Sequence, residues 1–204
     1  MSYRFYLHFF EFALHFCHLT FEMGGVRMKR LLNFCFLILL CLIGVGCAQN
    51  KDIPPVQEYS GRALAIGVVG EVPKDTFRNI KFEKIKLDEM KERSEEVDGF
   101  LVMKEHFEEA SKEKYTDLFL GLKKPVFFIG LKDRPYFIFT EKDLDYHNAP
   151  RNGAMMYTQG FVNVGSGEGQ IWGTDLYNDT ISEQSIHNMY IYVFQTIADY
   201  LSRQ

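Results

Sequence analysis

Three short, unbroken apolar runs constrain this chain more than any other feature. They are "ALAIGVVG" (63–70), "GFLVM" (99–103) and "PVFFIG" (125–130), each bounded by glycine, proline or charge. A strand with one wet face alternates apolar and polar side chains, whereas a strand covered on both faces does not. The runs have strand length and are too short for free-standing helices. Between the second and third lies "KEHFEEASKEKYTDLFLGL". In it Phe107, Ala110, Ser111, Tyr115, Leu118 and Leu122 recur at helical spacing, with the charges opposite. Gly121 and Pro125 supply its stop. Strand, helix and strand of these lengths predict a βαβ unit with parallel strands and a right-handed crossover.

The flanking segments complete the expected fold. "IKFEKIKLDEM" (80–90) alternates in two registers, which predicts a half-exposed strand bulged near Glu83 and Lys84. "KERSEEVD" reads as a charged connection or a short helical turn. "PYFIF" (135–139) reads as a short strand, and "TEKDLDYHNAPRNG" as a loop with one turn of helix. "MMYTQGFVNV" and "QIWGTDLYND" read as two strands around a "GSGEG" turn (165–169). A last helix is expected from Thr180, where Thr180 and Glu183 have the spacing of a capping box. Ile186, Met189, Tyr190, Val193, Ile197 and Leu201 form its apolar stripe. The expectation is a single α/β domain over residues 62–204. It has a mainly parallel central sheet, an antiparallel extension and a packed C-terminal helix.

The first 61 residues have a different character. From Met28, Lys29 and Arg30 make a short positive region, followed by the apolar "LLNFCFLILLCLIGV" (31–45). That run fits the ~7–15 apolar residues of a secretory signal and is short of the ~20 that span a bilayer. Gly44 and Gly46 flank Val45 just before Cys47, as a narrow peptidase cleft requires. The stretch "IGVGC" resembles the lipobox of bacterial lipoproteins, with Gly44 where that family usually carries a large aliphatic residue. The resemblance implies a diacylglycerol on the Cys47 thiol, cleavage immediately before Cys47, and anchoring at the outer face of the cell membrane. It covers residues 28–47 only. The competing reading is an uncleaved membrane helix, which would be short and weakened at its end by two glycines.

These readings divide the chain into four. Residues 1–27 are expected to lie upstream of the true start at Met28, since the codons of Gly24, Gly25 and Val26 can spell a ribosome-binding sequence. Residues 28–46 are the signal. Residues 47–61, polar with a Pro-Pro pair, are a lipidated tether holding the domain off the membrane. Residues 62–204 are the domain.

Composition narrows the chemistry. Cys17, Cys35, Cys41 and Cys47 all lie at or before the boundary, so the domain has neither disulfides nor a thiolate metal site. Residues 1–46 hold four basic and two acidic side chains, leaving 19 basic and 25 acidic beyond them. An acidic surface repels phosphates and argues against nucleic-acid partners. His106, His147 and His187 are far apart and in no zinc pattern. "GVVG" (67–70) lacks the spacing of a dinucleotide fingerprint, and no nucleophile elbow occurs. No cofactor or metal is implied.

Two candidate sites remain. In open α/β sheets ligands bind beyond the carboxyl ends of the strands. Glu105 beside His106, at the strand-to-helix junction, has the chemistry of an acid–base pair. As plain structure, the same residues are a solvated first helical turn, where Glu105 suits the helix dipole. "WGTDLYND" gathers the only Trp, Trp172, with Asp175, Tyr177 and Asp179. Aromatic and carboxylate groups together suit a sugar or a cation. The plainer alternative is a packed Trp and Tyr, with Asp179 near the last helix. The leading expectation is a non-catalytic, lipid-anchored binding domain of the envelope. The alternatives are a surface hydrolase using Glu105 and His106 with Asp175 or Asp179, and an envelope protein acting through a partner. Convergence of Glu105, His106 and the Trp172–Asp179 segment in one pocket would favour the site readings.

Overall fold

The computed structural model describes residues 53–151, 155–165 and 168–204. Chain contacts divide the protein into two units, Met1–Asn50 and Lys51–Gln204, and every described residue belongs to the second. The signal segment, Cys47 and residues 48–52 lie outside the described residues, as do Ser166 and Gly167 of the glycine-rich turn.

The described chain is a single α/β domain. Its strands are β1 (Leu64–Val69), β2 (Ile80–Ile85), β3 (Gly99–Met103), β4 (Val126–Ile129), β5 (Thr158–Gly165) and β6 (Glu168–Thr174). They form one sheet in the order β2-β1-β3-β4-β5-β6. β1 pairs parallel with β2 and β3, and β3 pairs parallel with β4. The β5–β6 hairpin adds on antiparallel. The helices are α1 (Met90–Arg93), α2 (Phe107–Ala110), α3 (Thr116–Gly121) and α4 (Glu183–Leu201).

Each sheet face buries its own core. On one face α1 to α3 and their flanking turns cover Val69, Ile85, Phe100, Val102, Val126 and Phe128. On the other, α4 covers Leu64, Ile66, Val68, Leu101, Phe127 and Ile129. Alternation along the strands divides the apolar runs between the faces, which is why the runs are unbroken. The β1–β2 connection, residues 70–79, carries no helix, and its Phe77 packs on the α4 side. The β2–β3 and β3–β4 connections advance the opposite way on the opposite face. One constant crossover hand demands that arrangement. The order therefore reverses between β1 and β3, where the carboxyl ends of strands splay a crevice open.

Several local expectations are corrected. β2 pairs with β1 without a register shift, and the bulge lies between Asn163 and Gly165 instead. The helix expected over 104–122 is broken into α2, α3 and two 3-10 turns. Its apolar positions are inward as expected, but Ser111 interrupts it. The Ser111 hydroxyl donates to the Glu108 carbonyl at 3.3 Å and accepts the Tyr146 N–H at 2.9 Å. A short polar side chain that bonds nearby backbone competes with the helical ladder. "PYFIF" is a 3-10 turn, Tyr136–Phe139, because the Gln159 side chain takes the Tyr136 N–H that a strand partner would use. The start of α4 moves on by two residues. Ser182 is its N-cap, and Ser182 and Ser185 exchange bonds of 3.1 Å in a capping box.

The described part of the expected tether, residues 53–61, is docked rather than free. Gln184 donates to the Pro54 carbonyl at 2.6 Å, and Asn188 donates to those of Pro54 and Pro55 at 3.2 Å. The Gln57 N–H donates back to Asn188 at 2.9 Å. Tyr59 is 2% exposed and meets Phe194 edge-on. A Pro-Pro pair holds its backbone extended, which presents these carbonyls to α4 in a row.

Candidate functional site

The carboxyl edge of the parallel strands is shaped by two glycines. Gly70 has φ +121° and Gly130 has φ +92°, a region closed to most side chains. A Cβ on Gly70 would lie 2.6 Å from Glu105 Oε1 and 2.7 Å from the Met103 Cβ. That close approach lets Glu105 accept the Glu71 N–H at 2.8 Å, bridging the ends of β3 and β1. On the α4 side of this point stands Tyr190, whose phenol is pushed up by burial and then by Tyr157, Asp75 and Glu105 nearby. Burial also raises Tyr157. Both phenols stay neutral.

Among the described residues no side-chain hydrogen bond or ion pair joins one of the candidate residues read from the sequence to another. Glu105 is exposed and engaged with the Glu71 backbone. His106 is half-buried and ends the 3-10 turn before α2. Among the described residues no hydrogen bond joins the two. Trp172 is packing as well as surface: its ring stacks on Phe127 at 5.8 Å and meets Tyr200 edge-on at 5.7 Å. Tyr200 is near the C-terminal end of α4, whereas Asp179 precedes its N-terminal end. Asp175 accepts the Tyr157 N–H at 2.7 Å. Tyr177 and Asp179 bound a 3-10 turn in which Asn178 and Asp179 have φ of 52° and 54°. The segment is a corner between strand and helix. Cys47 lies outside the described residues.

A cleft does exist, elsewhere on the carboxyl edge. It has a volume of about 420 Å³ and is lined by Pro135, Tyr136, Phe137, Met155, Met156, Gln159, Ile171, Trp172 and Gly173. Of the residues singled out in the sequence, only Trp172 reaches it. The size is that of a small-molecule site. Gln159 sets its back wall: the side-chain amide donates to the Arg134 carbonyl at 2.7 Å and accepts the Tyr136 N–H at 3.0 Å. That ties the 3-10 turn to β5. Tyr136 stacks on Phe161 at 5.5 Å, and burial raises its phenol. Ile171 and Met156 are left 56% and 46% exposed at the rim. Among the described lining side chains none is a carboxylate, an imidazole, an amine or a thiol, and the Tyr136 phenol is the titratable one. The cleft offers an open, mostly apolar surface. Sequence reasoning missed it because its walls come from three segments, one of which, 135–139, is a 3-10 turn where a strand was expected.

Among the described residues no group of three or more His, Cys, Asp or Glu side chains is placed to hold a metal. No described helix is long and apolar enough to cross a membrane. No family model, no characterised protein and no solved structure matches the chain.

Proposed function

We propose that this chain is a lipoprotein of the bacterial envelope, anchored at the outer face of the cell membrane by a diacylglycerol on Cys47, whose domain binds an apolar ligand without catalysis. The observation that carries the binding reading is the cleft of about 420 Å³ walled by methionine, aromatic and aliphatic side chains. Methionine and aromatic walls adapt to apolar ligands of varied shape. The anchoring reading rests on the "IGVGC" stretch. The acid–base alternative is weaker, because Glu105 is occupied in joining β1 to β3.

The only Trp of the chain lines the cleft, so it serves as a built-in probe. Titration with the uncharged apolar dye N-phenyl-1-naphthylamine should give saturable energy transfer from Trp172. Ile171→Glu should abolish it with little change in melting temperature, since Ile171 is 56% exposed. Transfer that never saturates, or that survives in the variant, would remove the cleft from the account.

A further inference from the structure

The ring of His187 stands between two hydrogen-bond acceptors. Its Nδ1 is 3.0 Å from the Asp75 carboxylate, and its Nε2 is 2.9 Å from the Gln57 carbonyl. Neither group can donate. A neutral imidazole has one N–H and satisfies one of them, leaving a lone pair against the other; the imidazolium satisfies both. The ring also stacks on Phe77 at 4.7 Å, and an aromatic face favours a cation. The side chain is 17% exposed.

We propose that His187 is a proton-operated latch for the segment 53–58. When the imidazolium loses its proton, the remaining N–H stays on Nδ1, because a carboxylate is the stronger acceptor. The bond surrendered is the one to Gln57, on the strap. Tyr59, buried beside Phe194, remains as the pin beyond which the chain stays docked. Asp75 is the charged partner within 4.0 Å of the ring among the described residues. The other charged or titratable groups of the packed elements are Lys74 and Arg78 beside Asp75, Glu58 on the strap, and Glu183 and Tyr190 a turn away on α4. The latch stands on its own geometry. Its consequence rests on the anchoring reading: the bonds from Gln184 and Asn188 remain, so deprotonation raises the open fraction of the strap, and each opening lends up to about 20 Å of reach between Cys47 and the domain.

Deuterium exchange on the full chain in detergent, corrected for intrinsic rates, tests this. The Gln57 amide, which donates to Asn188 while the strap is docked, should be about tenfold better protected near pH 5.5 than near pH 8.5, the factor for losing one charged hydrogen bond. His187→Gln should give one low protection at both values. Asp75→Asn, whose amide can donate to Nδ1 and leave the ring N–H on Nε2 for the Gln57 carbonyl, should keep the strap protected at both values. Equal protection at both pH values in the unaltered chain would overturn the latch, as would a transition that survives in His187→Gln. Cys47→Ala should leave the latch intact, so failure of the anchor and failure of the latch are distinguishable.

Discussion

Glu105 and Glu71 meet at the one place where the strand order turns back on itself. The Glu105 carboxylate accepts the Glu71 N–H at 2.8 Å, and Gly70 makes room for it. The group that looks like a catalytic carboxylate in the sequence is a clasp between β1 and β3. Glu105→Ala should destabilise the domain by about 1 kcal/mol, the net worth of such a bond. Glu105→Gln, which keeps an acceptor oxygen, should lose less. Urea denaturation separates the two variants, and equal losses would mean the bond contributes nothing.

Phe127 and Trp172 close over Gly160, the residue that pairs with both of them across the sheet. A Cβ there would lie 2.4 Å from the Phe127 ring. Gly160→Ala should cost about 1–3 kcal/mol, as overpacking does. It should also change the emission of Trp172, because the stack must open. A variant as stable as the parent, with unaltered emission, would contradict this packing.

The start of α4 is a test of capping. Ser182→Ala should cost about 1 kcal/mol. Thr180→Ala should be nearly silent, since what Thr180 gives the helix end is a backbone carbonyl that accepts from Ser185. Thermal melts of the two variants decide which residue caps.

That two-residue shift shows how far the sequence was legible. The buried strands were plain, because a strand covered on both faces cannot alternate. The parallel order followed from their spacing. The stripe of α4 was plain too, since Met189, Val193 and Ile197 lie one turn apart and all face the sheet. What failed were features set by side chains distant in sequence. Thr180 and Ser182 both fit a cap, and only the fold of the preceding corner chooses between them. "PYFIF" has strand residues, yet Gln159, twenty-three residues from Tyr136, takes the N–H a strand would need. The docked strap is the same case, for it depends on Gln184, His187 and Asn188 at the far end of the chain. The cleft was invisible for this reason as well.

Acid should weaken the domain through surface pairs. Hydrogen bonds from Lys112 and then Lys114 hold the Glu109 carboxyl down at about 2, against an ordinary 4.5. Lys81 and then Arg93 lower Glu83 in the same way. A carboxylate depressed in the folded state contributes stability above its unfolded value, and that stability is lost as pH falls from 4.5 towards 2. Glu109→Gln should therefore lose less melting temperature than the parent between pH 5 and pH 2.5. The Glu109 pairs are partly exposed, so added salt should shrink the difference.

Lipid anchoring of the proposed binding domain is tested most directly by the intact mass of the full chain recovered from the membranes of a bacterial host. The mature protein should begin at Cys47 and carry a diacylglycerol, with fatty-acid labelling abolished by Cys47→Ala. An unlabelled protein that retains residues 28–46, or labelling that persists in the variant, would contradict it.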